Sequence, residues 1–246
     1  MEPCDCGIIF ALAIEAGGLV DRLDEVTVTR GDGFTVRQGR LDGRGVVLME
    51  SGVGRQSAAR ATHALLDAHR PARVFSTGFA GALDPKLRRG DLVVADSLID
   101  DTFHILPTPH TFHALLPFRV GRLLWVDRIT RLPSEKRELG SKYQAVACDM
   151  ESLAVAEVCR ERNVPFLAVR VISDMADEEL PRDLERLLAQ TSGPARWGAA
   201  LGSIWRRPSS LKDLLRLRHQ ALEASDRLAE FLAEVIRQSD SGSYLE

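Results

Sequence analysis

Apolar residues fall along this chain in short unbroken runs, separated by stretches that repeat every three or four positions. "GIIFALAI" is a run of the kind shown by a strand covered on both faces, and "EAGGLVDRL" then changes to helical spacing. "FTVRQGRLDGRGVVLMES" reads as a hairpin, with Asp42-Gly43 supplying the positive φ of a tight turn between two alternating runs. "SGVGRQSAARATHALLDAHR" is a glycine-rich turn feeding a helix, and "PARVFST" is a strand that ends at "GFAGALD". Further strands are predicted in "GDLVVADSLI", "GRLLWVD", "AVACDM" and "VPFLAVRVIS". Strands alternating with helices predict an α/β fold, a three-layer α/β/α arrangement around a central mixed, largely parallel sheet.

The pattern weakens over residues 100–118, "DDTFHILPTPHTFHALLPF", where three histidines and three prolines predict a loop or lid. After Asp177 the chain becomes charged and helical, is broken by Pro208, and resumes with leucines at helical spacing. We therefore expect a single domain over residues 1–238, with an extended C-terminal helical segment over about 180–238 and a disordered tail at 239–246.

With 246 residues, 45% of them hydrophobic, the chain is long enough to bury one full core. A net charge of −3 with no block of like charge offers no field for phosphate backbones, which argues against nucleic acid or an anionic membrane as partner. A small molecule is the expected ligand. Cys4 and Cys6 form a Cys-x-Cys pair with no further Cys/His pair at finger-like spacing, and Cys148 and Cys159 lie in apolar runs, so neither a metal site nor a disulfide framework is expected. Neither a leader sequence nor a membrane-spanning run is read, and the expected location is the cytoplasm.

Ligands of parallel α/β sheets bind at the carboxyl ends of strands. Glu15 follows the first predicted strand, Asp149 and Glu151 the sixth, and Asp174 the last. Each has an ordinary explanation: Glu15, Asp149 and Glu151 as helix-start carboxylates favoured by the helix dipole, and Asp174 as an N-cap. Acids at three separate strand ends point instead to a site. The glycine-rich "SGVGRQS" and "GFAGAL" fit neither the Walker pattern nor the dinucleotide fingerprint.

Taken in order, "ALAIEAGGLV", "ESGVGRQSAARAT", "STGFAGALDPKLRRGDLVVAD" and "ACDMESLAVAEVCRERNVPFLAVRVISDMAD" resemble the nucleoside phosphorylase and nucleosidase superfamily, most closely the 5′-methylthioadenosine/S-adenosylhomocysteine nucleosidases. The likeness spans roughly residues 8–177. It implies hydrolysis of the N-glycosidic bond of a purine nucleoside, a 5′-substituted adenosine, without cofactor or metal, in a homodimer. Glu15 then corresponds to the base that takes a proton from water, and Asp174 to the acid that protonates the purine N7, steadied by Ser173. By the same match Glu151 corresponds to the anion that grips the ribose hydroxyls and Met150 to the residue that packs on the sugar. Gly81 and Thr130 fall where backbone groups of the family meet the ligand, and Phe79 replaces the serine that nucleosidases commonly carry, for a narrower or more apolar pocket around the water. Such roles suit an oxocarbenium-like transition state, which needs a group to neutralise the departing base and another to deliver the nucleophile. Burial at the end of an apolar strand is expected to raise the Asp174 carboxyl toward a usable acid.

Departures from the pattern shape the alternatives. The segment Ser76-Thr77-Gly78-Phe79 lacks the arginine and serine with which phosphorylases of the superfamily hold phosphate, so hydrolysis is preferred over a purine nucleoside phosphorylase. Arg55 is left as a nearby anion ligand or a solvated helix-start residue. Ile129 and Thr130 stand where adenine nucleosidases carry an aromatic and an aliphatic residue. The tryptophans and arginines of "RWGAALGSIWRRPSSLKDLLRLRHQ" resemble nucleosidases linked to hopanoid synthesis, which would place a bulky lipid on the 5′ carbon. His104, His110 and His113 are candidates for that side of the pocket, with surface or packing roles as the simpler account.

Overall fold

The structure is a computed structural model that describes residues 4–31, 33–108, 114–181 and 208–238, with the side chains of the last segment described from residue 219. Its strands are β1 (Cys6–Phe10), β2 (Asp24–Gly31), β3 (Phe34–Leu41), β4 (Arg44–Glu50), β5 (Arg73–Ala82), β6 (Leu92–Ile99), β7 (Ile105–Pro107), β8 (Phe118–Trp125), β9 (Ala147–Asp149) and β10 (Phe166–Asp174). The helices are α1 (Gly17–Val20), α2 (Arg55–His69), α3 (Pro133–Tyr143), α4 (Ser152–Glu161) and α5 (Pro208–Gln238), with a 3-10 turn at Ala13–Glu15.

The strands form one sheet in the order β10-β6-β8-β9-β5-β1-β4-β3-β2, with β7 on β6 and a further pairing of β10 with β5. That further pairing closes β5, β10, β6, β8 and β9 into a small barrel, while β1, β4, β3 and β2 continue as an open wing. The sheet is mixed as expected, and antiparallel pairings are as frequent as parallel ones. Barrel closure explains the small side chains of Ala80, Ala82, Ala95, Ala147 and Ala168, which share one core cluster with Val93, Leu123 and Ile172.

Alternation along β1 decides how the layers assemble. Ile8 and Phe10 pack with Leu228, Phe231, Leu232 and Ile236 of α5, whereas Ile9 packs with Ala58, Ala61 and Leu65 of α2 and Val155 of α4. Helices thus cover both faces of the sheet. The predicted hairpin forms between β3 and β4, with Asp42 and Gly43 at φ of 51° and 83° between the paired Leu41 and Arg44.

Several boundaries differ from the sequence reading. β1 stops at Phe10, and "EAGGLVDRL" holds one helical turn rather than a full helix. The strand read as "PARVFST" continues through "GFAGA", so Gly78, Phe79 and Gly81 belong to β5 itself. Strand β2 was not foreseen, since its eight residues are all exposed and carry no burial pattern. Residues 100–118 contain β7, and the turn before it is built by the Asp100 carboxylate, which accepts from Thr102 and from the His104 amide. His104 is exposed there; His110, His113, Trp197, Trp205 and the 239–246 tail lie outside the described residues. Helix α5 begins at Pro208, in the first helical position that proline favours.

Candidate active site

The carboxyl ends of β1, β5, β9 and β10 meet because β5 pairs with the other three. Glu15 stands at the end of the 3-10 turn after β1, and its carboxylate folds back instead of serving a helix dipole. Oε2 accepts the backbone N–H groups of Ala11 and Leu12 at 2.9 and 2.8 Å, and Oε1 accepts that of Phe79 at 2.9 Å. Burial pushes this carboxyl above the ordinary glutamate range, against the pull of those three donors and of Arg170.

Gly78 and Gly81 clear the space beside two of the acids. A Cβ on residue 78, where φ is 145°, would stand 2.6 Å from Glu15 Oε1, and one on residue 81 would stand 3.2 Å from Asp174 Oδ2. The two glycines are three strand residues apart, about 10 Å of backbone. Phe79 contributes its N–H to Glu15 while its side chain packs on the core cluster under α5.

Asp174 reaches the site through a break in the β5–β10 register between Ile172 and Asp174. Such irregularities re-aim a side chain. Arg89 donates to the Ser173 carbonyl and pairs with Glu178 at 2.5 Å, fixing the bend. The Ser173 hydroxyl donates to Asp174 Oδ1 at 2.7 Å. Instead of capping a helix, Oδ2 accepts from Lys136 Nζ of α3 at 2.5 Å, an ion pair whose lysine is fully buried and whose aspartate is 6% exposed. Beside the burial expected from sequence, this carboxyl has a buried ammonium as its partner.

Glu151, the residue before α4, accepts the Gly54 N–H on Oε1 at 2.7 Å. Gly54 has φ of 95° at the start of α2, so the glycine-rich turn serves to aim this donor. Burial, with Asp149 and Glu15 nearby, pushes Glu151 up to about 8. Glu151 is expected from sequence as an anion, whereas burial and the neighbouring carboxylates favour its neutral form. Met150 is half-buried, and its carbonyl accepts the Trp125 indole N–H at 3.1 Å. Thr130 is buried and accepts the Cys148 thiol at 3.8 Å.

Asp149 is more than a helix-start carboxylate. It pairs with Arg170 Nε at 2.6 Å, accepts the amide and hydroxyl of Ser152, and Arg170 continues to Ser76 Oγ at 2.8 Å. A buried charge needs such partners. Arg170 also pulls on both Glu15 and Glu151, so it is the positive centre between them. Arg170 and Lys136 were both missed from sequence. An arginine inside the apolar run "FLAVRVIS" is a signal for the first; "PSEKREL" offers none for the second.

Arg55 is part-exposed at the start of α2, where it pairs with Glu157 at 2.8 Å and lies over the Trp125 ring at 5.0 Å. Among the described residues no group of His, Cys, Asp and Glu is arranged to hold a metal, and no helix is long and apolar enough to cross a membrane.

A family model described as the phosphorylase superfamily matches residues 5–116 and 109–193. The 5′-methylthioadenosine/S-adenosylhomocysteine nucleosidase of Tolumonas auensis is 31% identical over 209 residues, 74% of this chain and 91% of the relative. That of Colwellia psychrerythraea is 30% identical over 214 residues, 74% and 88% of the two chains. Among solved structures, the corresponding nucleosidase of S. pneumoniae with a transition-state inhibitor has a TM-score of 0.73 at 22% identity, over 96% of this chain and 100% of that one. The futalosine hydrolase of Helicobacter pylori has a TM-score of 0.72 at 19% identity, over 95% and 97%. With matches of this extent behind the motif order and the sheet topology, the chain belongs to the phosphorylase superfamily, among relatives of its 5′-methylthioadenosine/S-adenosylhomocysteine nucleosidases.

Proposed function

We propose that the chain hydrolyses the N-glycosidic bond of a 5′-substituted adenosine, such as methylthioadenosine or S-adenosylhomocysteine, and releases adenine. The observation that carries this reading is the grouping of Glu15, Glu151 and Asp174 at one sheet edge, with Gly78 and Gly81 leaving room for a nucleoside between base and acid. Glu15, raised by burial and held by three backbone donors, takes the proton of a water whose oxygen bonds to C1′. The C1′–N9 bond breaks, its electron pair passes into the purine, and Asp174 supplies a proton to N7. Protonated Glu151 both donates to and accepts from the ribose hydroxyls, and Met150, Thr130, Ser173 and Phe79 complete the surroundings.

Hydrolysis is preferred to phosphorolysis because the groups that would bind phosphate are already engaged. Ser76 accepts from Arg170, and Arg55 is held by Glu157 and Trp125. The test is incubation with methylthioadenosine, S-adenosylhomocysteine, inosine and a long-chain 5′-substituted adenosine, with and without phosphate, following free base and sugar. Adenine and free sugar at a rate indifferent to phosphate are expected. Ribose 1-phosphate would overturn hydrolysis, and bound but unchanged nucleoside would mark a binding protein. Preference for the long-chain substrate would favour the lipid-substituted alternative. Sedimentation of the purified protein tests the homodimer, and cell fractionation the cytoplasmic location.

A further inference from the structure

Lys136 is the most anomalous buried group among the described residues. It lies in α3 between Glu135 and Arg137, in a stretch that reads as a solvated face, yet it is fully buried. Its Nζ donates to Asp174 Oδ2 at 2.5 Å, to the Met175 carbonyl at 2.8 Å and to the Glu178 carbonyl at 3.0 Å. An ammonium has three N–H groups, so all are spent and none remains for a ligand. Any effect on the reaction must pass through Asp174.

The contact is an ion pair, an ammonium against a carboxylate. The acid of the reaction, however, has to give a proton to the leaving purine. No other positive group touches this carboxyl among the described residues: Ser173 and Cys148 are neutral neighbours, burial having pushed the Cys148 thiol up to about 12, and the Arg89 charge is paired with Glu178. We infer that Lys136 is the positioning residue and proton reserve of the acid: its ammonium orients Asp174 and passes a proton through Oδ2 as the C1′–N9 bond breaks.

In balance, water gives its proton to Glu15, Lys136 gives one to Asp174, and Asp174 gives one to N7. After product leaves, Glu15 returns its proton to solvent and Lys136 takes one from solvent. Desolvation penalises both charges of a buried ion pair, and transfer of the proton from nitrogen to oxygen removes both at once.

This inference rests on reading Asp174 as the acid. Its test compares kcat against pH for the wild type, Lys136→Met and Lys136→Gln, with methylthioadenosine as substrate. Without the reserve, the alkaline limb should fall to lower pH by about one unit or more, and kcat at pH 8 should drop on the order of tenfold more than at pH 6. The acid limb, which belongs to Glu15, should stay in place. An alkaline limb that moves upward would show that the ammonium acts only by opposing protonation, and one that does not move would show a purely structural lysine; either overturns the inference. Should neither variant fold, carbon-13 labelling of aspartate carboxyls in the wild type decides, with the Asp174 signal identified by its loss in Asp174→Asn. A carboxylate at pH 7 is expected, and a protonated carboxyl overturns the assignment. A wild type inert to every nucleoside would instead sink the proposed function, while the carbon-13 measurement would still report where the proton rests.

Discussion

Gly78 lies directly against Glu15: a Cβ at residue 78 would stand 2.6 Å from Oε1 and 2.9 Å from the carboxyl carbon. Its φ of 145° also falls where glycine is favoured. Gly78→Ala should therefore displace the carboxylate from the Phe79 N–H and from its aim. Losing a hydrogen bond to a charged group is worth ~1.5–3 kcal/mol, so kcat is expected to fall by on the order of a hundredfold. Glu15→Gln, which keeps the shape and removes the proposed base, should fall at least as far. Steady-state rates alongside circular dichroism check both; full activity in Gly78→Ala would contradict the placement of Glu15.

Arg170 and Asp149 give a prediction about stability. Both are almost fully buried, and the pair joins β10 to the end of β9. Arg170→Met leaves Asp149 as an uncompensated buried charge, which should cost ~3–5 kcal/mol of folding free energy. Adding Asp149→Asn should recover part of that loss, since the neutral amide needs no counter-charge. Urea unfolding of both single variants and the double variant measures the coupling; simple additivity would show that the two residues do not interact.

These cases show what was legible in the chain and why. Glu15, Glu151 and Asp174 stood out because acids follow three separate apolar runs, and the fold brings those strand ends together. The Asp42-Gly43 hairpin was found because its turn chemistry is local. Lys136 was hidden because its partner is 38 residues away and the neighbouring charges mask it. The β5 boundary was misplaced because "GFAGA" reads as a flexible turn, whereas pairing with β10 and β9 holds it extended. Closure of the barrel depends on β10 pairing on both edges, which no single segment encodes.

The raised carboxyl of Glu151 has a consequence for stability against pH. Its value is about 8 in the fold and 4.5 for the ordinary group. Between those limits the unfolded chain has lost the proton that the folded chain keeps, so the unfolded state binds fewer protons and stability falls as pH rises. The contribution is fully present below about 4.5 and is lost as pH climbs through about 8. Glu151→Gln should thus flatten thermal stability over this window and be more stable than the wild type at pH 9. Thermal melts across the range test this, and a parallel offset at every pH would contradict it.

Helix α5 hydrogen-bonds the backbone of Glu15 through Ser225. Ser225 Oγ accepts the Gly18 N–H at 3.2 Å and donates to the Glu15 carbonyl at 3.2 Å, while a Cβ at Gly18 would come within 2.9 Å of the Asp226 Cα. The C-terminal helix therefore packs on the backbone that carries Glu15, whatever else the segment before it does. Ser225→Ala removes one buried hydroxyl with both its bonds and should cost ~1–3 kcal/mol, with little change in kcat because the carboxylate keeps its three backbone donors. Gly18→Val forces α5 away from the turn, and here kcat should fall as well, because the 3-10 turn must move with it. Rates and unfolding measured on the two variants separate the cases: equal kcat losses would mean that the serine, rather than the close approach of the helix, positions Glu15.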